Sequence, residues 1–312
     1  MKFSFLFCLL VFPALARAET LQEIADRAQP GILGVAVCDL SAGTIQGVNL
    51  DHKFPMQSIF KLFLAAAILD KVDAGELSLE QKIVVHARDV RDGSGPIADT
   101  GGGTFSIREL MRAALINSDN TAADNLLPLV GGPIGVTNWL HLHQIDGIEV
   151  DRDERTLARE IDGIPASFHP GENADPLRSK IPEDVQKTAF QAALAEDRDT
   201  ATPQGVVEFL VALQKGQLLT AQSSKLLLGW MKECVTGPDR LKAGLPSKAT
   251  LAHKTGTGPI RHGVALAVND IGLATLSDGR VIAIATFLTA AMGTEEKRDA
   301  LLAACAHVAT KP

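Results

Sequence analysis

Ser58-Ile-Phe-Lys61 sets a hydroxyl and an amine three residues apart. On a helix such residues share a face, so the two side chains can touch. A serine hydroxyl is a weak nucleophile until a neighbouring base takes its proton. A lysine in a dry pocket near other cations loses some preference for its charged form and can be that base. A helix N-terminus adds amide N–H groups aimed at developing negative charge. A pattern this short arises by chance about once in a chain of this length, and a capping serine beside a surface lysine reads the same way. The apolar run Leu62-Phe63-Leu64-Ala65-Ala66-Ala67 sets this one apart, because a lysine at the head of so apolar a helix is costly to bury.

Two further segments have the same double character. Ser118-Asp119-Asn120 reads alone as a polar turn with a helix cap. Lys254-Thr255-Gly256-Thr257-Gly258 reads alone as a strand end with a glycine turn, and it lacks the G-x-x-x-x-G-K-[ST] pattern of a phosphate loop. Together the three stand in the order S-x-x-K, S-D-N, K-T-G, about 60 and 135 residues apart. That ordered trio marks serine acyl-transfer enzymes that recognise β-lactams.

On these motifs the sequence resembles the class A serine β-lactamases, over nearly the whole chain after residue 18. The resemblance extends to Arg152-Asp153-Glu154-Arg155-Thr156-Leu157, to Asp199-Thr-Ala-Thr-Pro203, to Thr236-Gly-Pro-Asp-Arg240 and to Asn269-Asp270-Ile271. It implies hydrolysis of the β-lactam amide of penicillins and cephalosporins through a Ser58 acyl-enzyme, and so antibiotic resistance. It implies no cofactor and no metal. Lys61 then assists the nucleophile, Ser118 passes a proton to the leaving nitrogen, and Glu154 activates the deacylating water. The backbone N–H groups of Ser58 and Thr257 form the oxyanion hole. Asn120 binds the substrate's side-chain amide and orients Lys61, while Lys254, Thr255, Gly256 and Thr257 hold the substrate carboxylate. Arg152 pairs with Asp199 across the base of an Ω-shaped loop.

The sequence departs from the family pattern in three places. Ala158 stands where the family's water-holding asparagine belongs. The span from Arg152 to Asp199 is longer by roughly thirty residues, with an insert at about 159–196. The position of the family's carboxylate-binding arginine falls near Gly263, and Arg240 takes the place that some relatives use instead.

The elements that must position these residues follow from periodicity. Thr20-Leu-Gln-Glu23 is a capping box opening a short helix. Leu33–Asp39 and Thr44–Leu50 read as strands of a hairpin around Ser41-Ala-Gly43. Ser58–Val72 is apolar all round, as for a buried helix. Further helices are expected at 106–116, 119–130 and 203–214, and Glu183–Leu194 within the insert is an amphipathic stretch. Strands are expected at Gly263–Val268, Ile271–Leu276 and Val281–Leu288, with a closing helix from about Glu295 to Val308. The fold class is therefore α/β of the α+β type: an antiparallel sheet from both chain ends with flanking helices, plus an inserted all-helical domain. The family's β-lactamase/transpeptidase-like architecture matches. The expected division is a sheet domain of residues 19–57 and 233–312 and a helical domain of 58–232.

Residues 1–18 read as an export signal: Lys2, an apolar run, then Ala16-Arg17-Ala18. The expected product is periplasmic or secreted, monomeric and without a membrane anchor. Net charge is −7, and −9 once Lys2 and Arg17 are removed. That balance argues against nucleic acid, since phosphate binding needs a basic face. Cys38, Cys234 and Cys305 remain, an odd number that leaves at least one free thiol.

Three other functions fit parts of the pattern. A penicillin-binding D,D-peptidase or β-lactam sensor shares the trio but releases its acyl group slowly. A zinc hydrolase would use His141 and His143, although Asp146 lies one residue too far for the usual spacing. A pure binding module would need no reactive serine.

Overall fold

The structure, a computed structural model, describes residues 19–91, 95–167 and 177–311. The expected export signal at 1–18 and part of the expected insert, 168–176, lie outside them. Among the described residues no helix is long and apolar enough to cross a membrane.

One six-stranded antiparallel sheet takes strands from both ends of the chain. Strand β1 (Ile32–Asp39) pairs with β2 (Ile45–Val48) on one side and with β10 (Val281–Ala291) on the other. Beyond β10 lies β9 (Val264–Thr275), which pairs with β7 (Thr250–Thr257) and with the short β8 (Ile260–Arg261). Two-stranded ribbons pair β3 (Phe54–Pro55) with β6 (Thr200–Ala201) and β4 (Lys82–Val85) with β5 (Gly103–Ser106).

Both faces of the large sheet are covered, so its strands read as apolar runs rather than alternations. One face carries Val35, Val37, Ile282 and Ile284 against the helices Leu21–Arg27 and Glu295–Ala309, with Ile24, Leu302 and Cys305 in the same cluster. The other face carries smaller residues, Ala36, Cys38, Ala283 and Ala285, against the helical part. There the helix Phe60–Asp73 runs through the core. Its Phe63 is fully buried and meets the Phe209 ring edge-on, centroids 4.8 Å apart. Each such side chain contributes about 1.5–3 kcal/mol by burial, and together they fix the helix that carries the nucleophile.

The expected elements are present with four local changes. The first turn at Ser58 is a 3₁₀ turn, Gln57–Ile59, before the α-helix begins at Phe60. The expected helix at 119–130 divides into Asn120–Leu126 and the 3₁₀ segment Leu127–Val130, because Pro128 has no N–H to continue an α-helical ladder. The second strand of the first hairpin is shorter than expected, Ile45–Val48. The strands expected at 263–268 and 271–276 are one strand, β9. Asn269 and Asp270 look like a break in sequence, but both are fully buried and bonded inside the protein. Asn269 Nδ2 donates to the carbonyls of Pro55 (2.9 Å) and Met56 (3.2 Å), tying the sheet to the residues before the nucleophile.

Candidate active site

Ser58 sits at the seam between sheet and helices. Two residues before it, the Met56 N–H donates to the carbonyl of Asp199 at 3.0 Å, continuing the β3–β6 ribbon. On the opposite side a Cβ built on Gly256 would fall on the Met56 carbonyl oxygen, so only glycine lets β7 pass this close.

Lys61 is completely buried. Its Nζ donates to Ser58 Oγ (2.9 Å), to the Ser118 carbonyl (2.8 Å) and to Asn120 Oδ1, and it pairs with Glu154 Oε1 at 2.9 Å. Ser58 Oγ in turn donates to Glu154 Oε1 at 3.2 Å. A buried ammonium is tolerable only with this density of partners.

Ser118 is held in the left-handed region, φ 62°. The fully buried Asp119 fixes that turn, with one carboxylate oxygen accepting from Ala122 N and the other from Ile97 N, both at 2.8 Å. Ser118 Oγ lies between two lysines, 2.9 Å from Lys254 Nζ and 3.5 Å from Lys61 Nζ. Burial, reinforced by the Lys61 charge, brings the Lys254 ammonium down to about 7.

Glu154 opens the helix Glu154–Ile161. Burial pushes its carboxyl up, but Lys61, Arg91 and the Ser58 hydroxyl together hold it below the ordinary carboxylate value. Two aspartates pin the first turn. Asp153 caps Thr156 N at 2.6 Å, and Asp124 accepts from Glu154 N at 2.8 Å and Arg155 N at 3.3 Å. Asp124 is pushed up to about 7 by burial and by the neighbouring Asp153 and Glu154.

The loop is closed below this turn. Arg152 Nε meets Asp199 Oδ2 at 2.5 Å, and Asp199 Oδ1 accepts from the backbone N–H groups of Asp151 and Arg152. Within the span, the helix Glu183–Leu194 brings Phe190 against Leu157, Ile161 and the β9 residue Leu266. Arg261 reaches Asp162 with two bonds, at 2.9 and 3.0 Å.

Ser58, Ser118, Asn120, Thr236, Thr255 and Thr257, among others, line a cavity of about 620 Å³. Of the residues singled out from sequence, Ser58, Ser118, Asn120, Thr255 and Thr257 line it, and Lys61, Glu154 and Lys254 are bonded to Ser58 or Ser118 from behind, with Gly256 between Thr255 and Thr257 in β7. Arg240 does not line the cavity. It is buried, with Nε on Asp299 (3.0 Å) and Nη1 on the Asn269 carbonyl (3.0 Å), and its chain lies beside Gly237 and Thr255. Sequence reasoning passes over Asp124 and Thr236. Asp124 carries no signal of its own inside a helix. Thr236 stands in a run that matches the family but has no role assigned there, yet its hydroxyl lies 2.6 Å from that of Thr255.

His141 pairs with Glu149 at 3.4 Å, while His143 turns its Nδ1 to the Trp139 carbonyl. Among the described residues no group of three histidine, cysteine or acidic side chains is placed to hold a metal.

A family profile described as "Beta-lactamase enzyme family" matches residues 16–311. The chain belongs to this family. It is 34% identical over 266 residues to the extended-spectrum β-lactamase PER-1 of Pseudomonas aeruginosa, covering 84% of this chain and 76% of that protein. It is 29% identical over 287 residues to β-lactamase VEB-1 of the same organism, covering 90% and 85%. Among solved structures it resembles a β-lactamase from Chitinophaga pinensis DSM 2588, with TM-score 0.78, 30% identity and coverage of 92% and 96%. It also resembles an ancestral class A β-lactamase, with TM-score 0.75, 32% identity and coverage of 93% and 97%. The fold is therefore that of the class A enzymes.

Proposed function

We propose that this β-lactamase hydrolyses the amide bond of penicillins and cephalosporins through an ester on Ser58 and so confers antibiotic resistance. The observation that carries the reading is the placement of one hydroxyl, Ser58 Oγ, within hydrogen-bond reach of both Lys61 Nζ (2.9 Å) and Glu154 Oε1 (3.2 Å).

Attack on the ring carbonyl needs the Ser58 proton removed, and two groups touch that oxygen. Glu154 already accepts from it. Lys61, in its neutral form, can take the proton as well. The ring nitrogen leaves with a proton from Ser118, which the two flanking lysines orient. The oxyanion is held by the N–H groups of Ser58 and Thr257, donors of a kind that contribute about 2.7–4 kcal/mol each to the transition state. Thr255, Thr257 and Lys254 take the substrate carboxylate, with Arg240 as a fixed positive charge behind Thr255. Asn120, bonded to Lys61, is left its amide donors for the substrate's side-chain carbonyl.

Deacylation has a single base. Glu154, kept ionised at neutral pH, draws a proton from water at the ester. That carboxylate favours turnover over the slow release of a D,D-peptidase or sensor. Residues 1–18 direct export to the periplasm or medium in this reading. The test is nitrocefin hydrolysis followed beside intact-protein mass spectrometry. Many turnovers with no lasting adduct fit a hydrolase, whereas one equivalent of persistent adduct would identify a sensor or peptidase.

A further inference from the structure

Cys234 lies outside the machinery described above and has partners a buried structural cysteine does not need. His253, on β7 next to Lys254, lines the same cavity as Cys234, and its charge favours the Cys234 thiolate. The same imidazole turns Nδ1 to Asp270 Oδ1 at 2.9 Å, and Asp270 is fully buried. Thr236 Oγ1 lies 3.2 Å from Cys234 Sγ. A thiol and an imidazole thus face one cavity, with a carboxylate behind the imidazole, a set of groups of the kind that generates a thiolate in cysteine nucleophiles. Cys38 and Cys305, also free and buried, have no such array.

Cys234 and His253 also share a cavity of about 360 Å³, separate in its lining from the Ser58 cavity. Leu245 and Leu251 form part of its wall. Lys232 and Lys242 line it too, both exposed and neither in an ion pair among the described residues. A thiol beside two unpaired cations suits a small electrophile that carries negative charge.

We propose that Cys234 is a covalent modification site, reached through this second cavity by low-mass disulfides that carry carboxylates. Burial opposes the thiolate, but His253, Lys254 and Thr236 bring Cys234 down to about 7. Burial likewise opposes the imidazolium, but Asp270 and Cys234 raise His253 to about 10. The thiolate attacks one sulfur of the disulfide, and a new S–S bond forms as the old one breaks. The departing thiolate, when basic enough, takes the proton from the His253 imidazolium. No external oxidant or reductant is required, because the disulfide is itself reduced to one thiol and one mixed disulfide.

The adduct turns the thiolate sulfur into a neutral disulfide sulfur, a weaker acceptor for the Thr236 hydroxyl. That hydroxyl's other partner, Thr255, lines the Ser58 cavity. The site is thus one side chain removed from the catalytic pocket, although its chemistry does not depend on what that pocket hydrolyses.

The test treats the folded full chain with dithiobis(nitrobenzoate), a dianionic disulfide, and with a neutral dipyridyl disulfide. Peptide mass spectrometry separates adducts at Cys234 from those at Cys8, Cys38 and Cys305. Cys234 should react about tenfold or more faster than Cys38 and Cys305. Relative to a small free thiol, it should favour the dianionic reagent, and the double variant Lys232→Gln, Lys242→Gln should lose that preference. His253→Asn should slow the reaction by about tenfold with an unchanged circular dichroism spectrum. A Cys234 that reacts no faster than Cys38 in the folded wild-type protein overturns the proposal, and equal reaction with both reagents overturns its anionic specificity.

Discussion

Glu154 Oε1 stands 2.9 Å from Lys61 Nζ, an ion pair in which both side chains are withdrawn from solvent and Ser58 Oγ touches each partner. This triangle makes the two halves of the reaction unequal. In the proposed mechanism acylation has two proton acceptors, whereas deacylation has one.

Glu154→Gln should therefore still take up a penicillin, more slowly than the parent, and then stall. Intact-protein mass spectrometry should show the chain heavier by one drug molecule for minutes or longer. Clearance at the parental rate would place the deacylating base elsewhere.

Ser58→Ala removes the attacking oxygen and leaves the charges around it. Hydrolysis of nitrocefin should fall by about a millionfold, the loss typical of a missing serine nucleophile, and labelling by a fluorescent penicillin should vanish. Retention of more than a trace of either would exclude Ser58 as the nucleophile.

The Arg152–Asp199 pair should act on deacylation before anything else. Asp199→Asn keeps the shape but removes the charge facing Arg152, loosening the turn that aims Glu154. A displacement of about 1 Å can cost about a hundredfold in rate. Pre-steady-state kinetics should show acyl-enzyme accumulating in the variant, with the acylation rate less affected than the hydrolysis rate. Equal losses in both steps would contradict this role.

Arg240→Ala should have two effects, separable by Arg240→Lys. Removing the guanidinium leaves Asp299 buried without its partner, a loss of about 3–5 kcal/mol, so melting should shift downward. It also removes positive charge behind Thr255, so KM for anionic penicillins should rise. Lysine should restore part of the KM while recovering less of the stability, because it lacks the planar fork that spans Asp299 and the Asn269 carbonyl. A KM unchanged in both variants would mean that Lys254 alone holds the carboxylate.

Lys254 gives the pH dependence its sign. Its ammonium, brought down to about 7 by burial and by Lys61, is charged below that value and neutral above it. Only the charged form attracts the substrate carboxylate. Thus kcat/KM, which reports the free enzyme, should fall as pH rises through about 7, and the fall should be weaker for a β-lactam whose carboxylate is esterified. A flat profile for both substrates would remove Lys254 from carboxylate recognition.

The side chains around Ser58 are legible in the sequence because the proposed chemistry needs specific residue types at specific places. Ser58 and Lys61 must lie one turn apart, Ser118 needs a turn that the buried Asp119 can fix, and Gly256 needs the Met56 carbonyl against it. The architecture is legible from apolar runs at both ends. The hidden features depend on contacts between distant segments. Asn269 and Asp270 look like a strand break until their partners in Pro55 and His253 are known. Sequence matching puts Arg240 in the substrate's path because it reports position along the chain, not the Asp299 that holds the guanidinium. Asp124 and the Cys234–His253 pair carry no local pattern at all, since each works through a residue far away in sequence.

The closure between Arg152 and Asp199 also bears on how such an enzyme can change over time. The two residues fix both ends of the intervening segment, and one end carries Glu154 just two positions inside the clasp. Position of the base is thereby uncoupled from the length of the remaining segment. For a flexible loop, each doubling of length costs only about 0.6 kcal/mol in closure entropy. Insertions and deletions between the helix Glu154–Ile161 and the packed helix Glu183–Leu194 are therefore cheap in stability, provided the clasp and the contacts of Phe190 survive. This stretch is one where a lineage can explore new surface without rebuilding the reaction centre.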